Sequence, residues 1–302
     1  MPAKPICVAE LCLAKPALRV VALNWSAAEM LLSLGIVPVG VTDIKGYKRW
    51  QSNHPEMPDS VVELGRREEP SLAAIAALEP DLIVGYRFRH NRIKHLLDSI
   101  APTYIYQQYP NLDQADFSYF KQQQQILQEL AVLVNKVPQA QALLQQMHQV
   151  LAVNTALLAQ QKLTKQSIAF GKFVGMGYGL RLFGQASLVA TVANELGLNY
   201  QWHQVLPGKD FTHLQLAQLP QITVDRMILV QDPNQLGLRM VRSPVWQHLP
   251  FVANQQLVYV EPLWSFGGPI SVMRMANALT QALTSPAAKT HPSPLVSFAD
   301  GN

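Results

Sequence analysis

Apolar residues in this chain fall into two kinds of block. Some form short continuous runs rich in β-branched residues; others recur every three or four positions. Arg19–Trp25 is a run of the first kind and predicts a buried strand. Ser26-Ala-Ala-Glu29 reads as a capping box opening a helix through Leu34, with Gly35 at its end. Val37–Val41 predicts a second strand, so the opening is a parallel βαβ unit. The alternation continues with a Ser71-capped helix to Leu78 and a strand at Asp81–Tyr86. A helix over Ile93–Ile100 and a strand at Thr103–Tyr106 follow. Strand signals then stop. Phe117–Asn135 is helical, and Pro138 fits the first turn of a second helix running to about Gln161. That second helix would reach about 37 Å, enough to cross between two domains.

A second α/β half is expected beyond it. Strands are predicted at Ser167–Val174, Leu180–Phe183, Met227–Gln231 and Leu257–Val260. Helices are predicted at Ser187–Leu196, Thr212–Leu219, from Ser243-Pro244 and over Ile270–Leu283. The cap, helix and strand order of the Ser71 and Thr212 segments suggests a weak internal repeat. The expected division is an N-terminal extension (1–18), an N-terminal lobe (19–136), a connecting helix (137–161), a C-terminal lobe (162–284) and a disordered tail (285–302). The fold class is α/β, with two lobes of mainly parallel sheet joined by one long helix.

Composition narrows what such a molecule can do. The chain has 302 residues, 49% hydrophobic and 15% charged, ample for two cores. A net charge of +4 without long basic runs argues against a nucleic-acid track and favours small anions or anionic surfaces. Cys7 and Cys12 are too few for a metal site and do not decide the redox compartment. The first 18 residues lack a signal-peptide apolar run, and no stretch is long enough to span a membrane, so read literally the chain is cytoplasmic. No G-x-S-x-G is present, and the eight histidines include no i,i+4 pair, so neither a hydrolase centre nor a zinc site is expected.

Candidate chemistry concentrates in residues 47–70, read as mostly loop from Pro55, Pro58, Gly65 and Pro70. Trp50 offers aromatic area and Arg67 a permanent cation, a combination suited to a bulky anion or an oxygen-rich chelate. The plainer reading has Trp50 capping a core edge and Arg67 paired with Glu68 or Glu69. Arg87, Arg89, His90, Arg92 and Lys94 crowd the next connection, either as a solvated face or as an anion-facing rim. Trp25 and Trp246 read as structural.

The order of these pieces resembles the periplasmic ferric-siderophore-binding proteins, in particular their ferric-hydroxamate branch, over residues 19–283. The resemblance is carried by Arg19–Asp43, Tyr47…Trp50, Pro58-Asp-Ser-Val-Val, Gly65-Arg-Arg-Glu-Glu-Pro and Leu182-Phe-Gly-Gln-Ala-Ser-Leu. Pro244-Val-Trp-Gln-His-Leu-Pro-Phe-Val and Leu263-Trp-Ser-Phe-Gly complete it. It implies the class III substrate-binding architecture, a shallow cleft between the lobes, no catalytic step and no cofactor of its own. Iron would arrive indirectly, inside a ferric siderophore, for delivery to an ABC importer. By position, Trp50 matches a cleft-wall tryptophan, and Arg67 an arginine that meets the iron-coordinating oxygens. Trp264 and Phe266 match aromatics on the second lobe's wall.

Arg89 or His90 stands near a family tyrosine, and Lys209 near a family tryptophan. Both changes add donors or positive charge, so an anionic catecholate, citrate or mixed chelate gains more than a neutral hydroxamate, which stays the rival ligand. The carboxylates that importers of this kind engage fall at His95 and Ala217, neither of them acidic; Asp98 and Glu195 are other acids available to a permease. The resemblance also implies a monomer in the periplasm, whose export signal is not visible in these residues. Cobalamin or haem on the same architecture, and less readily a siderophore-processing enzyme, are the alternatives.

Overall fold

The computed structural model describes residues 5–109, 118–175, 179–231 and 237–284. The expected disordered tail at 285–302 lies outside the described residues. The chain forms two compact units. The first comprises Met1–Leu151 with Trp264–Arg274, and the second Ala152–Leu263 with Met275–Asn302.

In the first unit β1 (Ile6–Val8) and β2 (Leu11–Leu13) form an antiparallel hairpin closed by a Cys7–Cys12 disulfide. The five-stranded sheet is wholly parallel, in the order β5 (Val62–Glu63), β4 (Gly40–Val41), β3 (Val20–Ala22), β8 (Leu82–Tyr86) and β9 (Thr103–Tyr106). A separate ribbon pairs β6 (Gly65–Arg66) with β7 (Glu69–Pro70). The helices are α1 (Trp25–Ser33), α2 (Ile44–Trp50), α3 (Leu72–Ala77), α4 (Arg87–His90), α5 (Lys94–Asp98), α6 (Tyr119–Leu133) and α7 (Val137–Gln160), the last of which belongs to this unit up to Leu151 and to the second from Ala152. Val21, Leu23, Leu64, Ile75, Ile83 and Leu97 form a fully buried core. They come from alternating strands and helix faces, as a parallel sheet covered by helices requires. The hairpin packs on α6, where the Ala17 amide also bonds the Leu133 carbonyl at 2.9 Å.

The second unit holds a six-stranded sheet in the order β13 (Phe211–Gln215), β11 (Gly179–Phe183), β10 (Ser167–Val174), β14 (Arg226–Val230) and β15 (Leu257–Val260). There β12 (Asn199–Tyr200) pairs with β10. The β10–β11 and β11–β13 pairs are antiparallel and the others parallel, so this sheet is mixed. Its helices are α8 (Leu188–Glu195), α9 (Leu238–Val241), α10 (Pro244–Gln247), α11 (Pro250–Ala253) and the later part of α12 (Pro269–Thr284). Trp246 is fully buried against Phe173 and Phe251, the structural role its sequence suggested.

Several sequence expectations are corrected. The capping box does not form. Asn24 is the N-cap of α1, taking the Ala27 amide, while Ser26 and Glu29 serve contacts distant in sequence. Trp25 begins that helix instead of ending a strand. Trp50 is the last residue of a helix, not part of a loop. The Thr212 helix is instead β13 followed by a 3-10 turn at Leu216–Gln221, so the proposed repeat fails. Pairing with β11 decides this, because it buries Phe211, Thr212 and Leu214.

Candidate functional site

The carboxyl ends of the parallel strands in the first unit carry its polar and aromatic groups, as open α/β sheets generally do. Asn24 follows β3, Asp43 follows β4, Tyr86 ends β8, and Gln108 and Tyr109 follow β9. Asn24 links three of these elements. Its oxygen takes the Ala27 amide at 2.9 Å and the Tyr106 hydroxyl at 2.9 Å, and its amide nitrogen donates to Gln108 Oε1 at 2.8 Å.

Asp43 organises the centre. It sits at φ 56°, in the left-handed region, and its carboxylate caps α2 by accepting the Gly46 amide. Its carbonyl accepts the Trp25 indole N–H at 2.9 Å. Gly46 is required here, because a Cβ would lie 2.2 Å from Trp25 Cζ2 and 2.4 Å from Asp43 Oδ2. Glu63 fixes the adjoining backbone by accepting the amides of Asp43, Ile44 and Gly65 at 2.8 to 3.0 Å.

Arg67 lies in the β6–β7 turn, and its side chain is only 18% exposed. Its guanidinium carbon stands 3.6 Å from the Trp25 ring centroid and 5.6 Å from that of Trp264, a cation held against indole faces. Nε lies 3.3 Å from Asp43 Oδ2, so the partner is Asp43 and not Glu68 or Glu69. Among the described residues the two Nη groups of Arg67 make no hydrogen bond. Burial lowers its pKa, the nearby Arg89 adds to that, and Asp43 opposes both.

His90 is fully buried, so it presents no atom to solvent. The Tyr86 amide donates to Nδ1 at 3.2 Å, which leaves the proton on Nε2, 3.1 Å from the Arg67 carbonyl oxygen. Burial, assisted by Arg89, pushes this imidazole down to about 4. His90 therefore acts as a neutral brace for the backbone of Arg67. Arg89 pairs with Glu68, and Lys94 with Asp98 at 2.7 Å, so two cations of this cluster are matched, while Arg87 and Arg92 are exposed.

Trp264 and Phe266, expected in the second lobe, belong to the first unit. Two anchors account for it. Ser26 Oγ accepts the Trp264 indole N–H at 3.0 Å and donates to the Phe266 carbonyl at 2.6 Å. The buried Glu29 accepts the Ser271 amide at 2.9 Å, the Ser271 hydroxyl at 2.6 Å, the Gln51 side-chain amide and the Gly268 amide. Trp264 stacks edge-on against Trp25 at 4.5 Å and Phe266 at 5.1 Å. Phe266 meets Tyr109 at 5.4 Å, and Tyr109 meets Phe88 at 5.5 Å. Both predicted wall aromatics are themselves buried; the exposed end of this aromatic file is Phe88.

The structure thus brings Arg67, Arg89, His90, Trp264 and Phe266 into one constellation. Trp50 is half-buried at the end of α2, whose cap is Asp43, and its neighbour Gln51 is bonded to Glu29 and Ser271. Lys209 lies in the second unit, beside the buried Asp210. Sequence reasoning missed Trp25 as the platform for Arg67, and Asp43, Tyr109 and Phe88 altogether. Position after a parallel strand would have found Asp43 and Tyr109. Among the described residues no cluster of His, Cys, Asp or Glu could hold a metal, and no helix is long and apolar enough to cross a membrane.

A family profile described as periplasmic binding protein matches residues 20–262. The iron(3+)-hydroxamate-binding protein FhuD of Escherichia coli (strain K12) is 27% identical over 88% of this chain and 86% of its own length. The Fe(3+) dicitrate-binding periplasmic protein FecB of the same organism is 27% identical over 80% of this chain and 76% of its own. Among solved structures, the Fe3+-Desferal-bound siderophore-binding protein FhuD from Vibrio cholerae is 28% identical. It superposes with a TM-score of 0.78 over 91% of this chain and 99% of its own.

Proposed function

The chain belongs to the periplasmic binding protein family, and on that premise we propose that it binds a ferric siderophore and delivers it to an ABC importer. Relatives named for ferric hydroxamate, ferric dicitrate and achromobactin binding support this reading. The observation that carries it is Arg67. Its guanidinium lies over the Trp25 ring with Trp264 further off and Nε against Asp43, its backbone carbonyl is braced by His90, and among the described residues its Nη groups make no hydrogen bond. Ferric iron in a siderophore already has its oxygen cage, so a binding protein needs only donors for those oxygens and aromatic area for the organic shell. Both are present in the Arg67 constellation. The work is recognition and presentation, with no bond made or broken. Export to the periplasm, a monomeric state and engagement of a permease through surface acids such as Asp98 belong to the same proposal.

The test is a titration of intrinsic tryptophan fluorescence with a panel of ferric siderophores. Trp25 and Trp264 flank Arg67, so quenching on binding is expected. Arg67→Ala should weaken binding by about 30-fold or more, since one side of a desolvated charge pair is removed. Unchanged quenching and affinity in a folded Arg67→Ala protein would refute the assignment.

A further inference from the structure

The parallel sheet of the first unit ends at β9, which pairs with β8 alone. Successive backbone groups along a strand point to opposite neighbours. The Ile83 amide donates to the Pro102 carbonyl in the register Ile83↔Thr103, so the backbone groups of Pro102, Tyr104 and Tyr106 face β8. Those of Thr103 and Ile105 face the open edge, and among the described residues they make no backbone hydrogen bond. An edge of this kind is a template for a further strand.

Beside that edge lies a cavity of ≈ 480 Å³, which Thr103, Tyr104 and Ile105 line. It has two further walls. One is the β1–β2 hairpin, closed by its disulfide and packed on α6, which contributes Val8, Glu10 and Leu11. The other is a single helical face, because Arg87, Asn91 and Lys94 follow one another at helical spacing. The walls flank opposite faces of β9. Tyr104 bonds Glu129 of α6, on the hairpin's side. A Cβ on Gly85 would touch both His90 and Ile105, so Ile105 shares its face with α4.

Charge divides in the same way. Arg87 and Glu10 are exposed, and among the described residues neither has an ion-pair partner. Lys94 meets Asp98 in a solvent-facing i,i+4 pair, an arrangement worth little and easily shared. Side chains of a strand alternate between its faces. A strand laid on β9 would send every second side chain to two cations and an amide, and the intervening ones to Val8, Leu11 and one carboxylate.

We propose that this cleft receives an extended peptide segment as a sixth strand, with acidic side chains toward Arg87 and Lys94 and a basic one, between apolar neighbours, toward Glu10. Backbone bonds to Thr103 and Ile105 supply affinity, and the alternation supplies selectivity. The cleft shares no residue with the Arg67 constellation, so the proposal stands apart from ferric-chelate binding.

The full chain is titrated by calorimetry with acetyl-Val-Glu-Lys-Glu-Val-amide, whose two glutamates share one face. The controls are the charge-swapped acetyl-Val-Lys-Glu-Lys-Val-amide and a copy of the first peptide N-methylated at every interior amide. The first peptide should bind one-to-one and protect the Thr103 and Ile105 amides in hydrogen exchange read by NMR. The swapped peptide should bind about tenfold more weakly and the methylated one not at all. Arg87→Glu should weaken the first peptide about tenfold, and Glu10→Lys should narrow the gap between the two sequences. Both positions are exposed, and circular dichroism checks that the variants fold. No binding of the first peptide, equal affinity for either control, or binding without protection of Thr103 and Ile105 overturns the proposal. So does N-acetylglutamate binding as tightly as the peptide, which would mark a small-carboxylate site. Concentration-dependent protection of the same amides without peptide, with a dimer in sedimentation, would make a second copy the occupant and overturn it too. Each of these failures leaves the proposed function standing.

Discussion

Replacing Glu29 with alanine tests how Trp264 and Phe266 are held under Arg67. The Glu29 carboxylate accepts two backbone amides at the start of α12, those of Gly268 and Ser271, besides the Ser271 hydroxyl and the Gln51 amide. After truncation the last two can satisfy each other, since Gln51 Nε2 already lies 3.2 Å from Ser271 Oγ. The two backbone N–H groups cannot be satisfied in that way. Each buried orphan costs about 1–3 kcal/mol, so about 3 kcal/mol is expected once release of a buried carboxyl is set against it. Glu29→Gln keeps an acceptor oxygen and should cost about 1–2 kcal/mol. The assay is native-state hydrogen exchange read on peptides spanning 264–274, because a chain of two units need not unfold in one step. A 3 kcal/mol loss is about a 150-fold drop in protection there, with β10 and β14 in the second unit unaffected. The pH dependence supplies a sign. Burial raises the Glu29 pKa above 4.5 despite its hydrogen bonds. Its contribution to stability is therefore full below that pH and is lost as pH rises, a slope that Glu29→Gln should remove. Unchanged protection of 264–274 in Glu29→Ala would refute the reasoning.

Other outcomes follow from the same geometry. Gly46→Ala drives a methyl into Trp25 and Asp43 and should destabilise by about 2–3 kcal/mol, read by thermal melting, while blunting ferric-chelate quenching. His90 is held neutral, with its pKa lowered from 6.5 to about 4. Its stabilisation is present above pH 6.5 and lost as pH falls toward 4, about 3 kcal/mol in all, and His90→Gln should flatten that acid limb in urea titrations. Asp210 runs the other way, with its pKa raised from 3.8 to about 7. Its contribution is full below pH 3.8 and declines by about 4 kcal/mol as pH rises through 7, so Asp210→Asn should gain relative stability at pH 8.

The strands were legible because their signals are local. Thr103–Tyr106, Ser167–Val174 and Leu257–Val260 have the bounds their β-branched runs predicted, the Ser71 cap forms as expected, and the helix expected over Ser187–Leu196 forms at Leu188–Glu195. What failed was decided by partners far along the chain. Ser26 and Glu29 look like a local cap, yet their side chains bond residues more than 200 positions away. Thr212 looks like a helix start until β11 is available to pair with it. Arg67 was found from its residue type and setting. Position after β4 marks Asp43 as a site residue, but its pairing with Arg67 could not be read, because the two lie 24 positions apart and are brought together by the β4–α2 turn.

The return of Trp264–Arg274 to the first unit has a consequence for biosynthesis. A ribosome that has released Leu151 has made nearly all of that unit but not the strip that covers Ser26 and Glu29. At about 5–20 residues per second, the strip emerges roughly 6–25 s later. Until then the indole of Trp25 lacks its neighbour and a carboxylate meant for burial stands open. The nascent first unit is then a natural client for a holding chaperone, and a fragment ending at residue 151 would stay in that unfinished condition indefinitely.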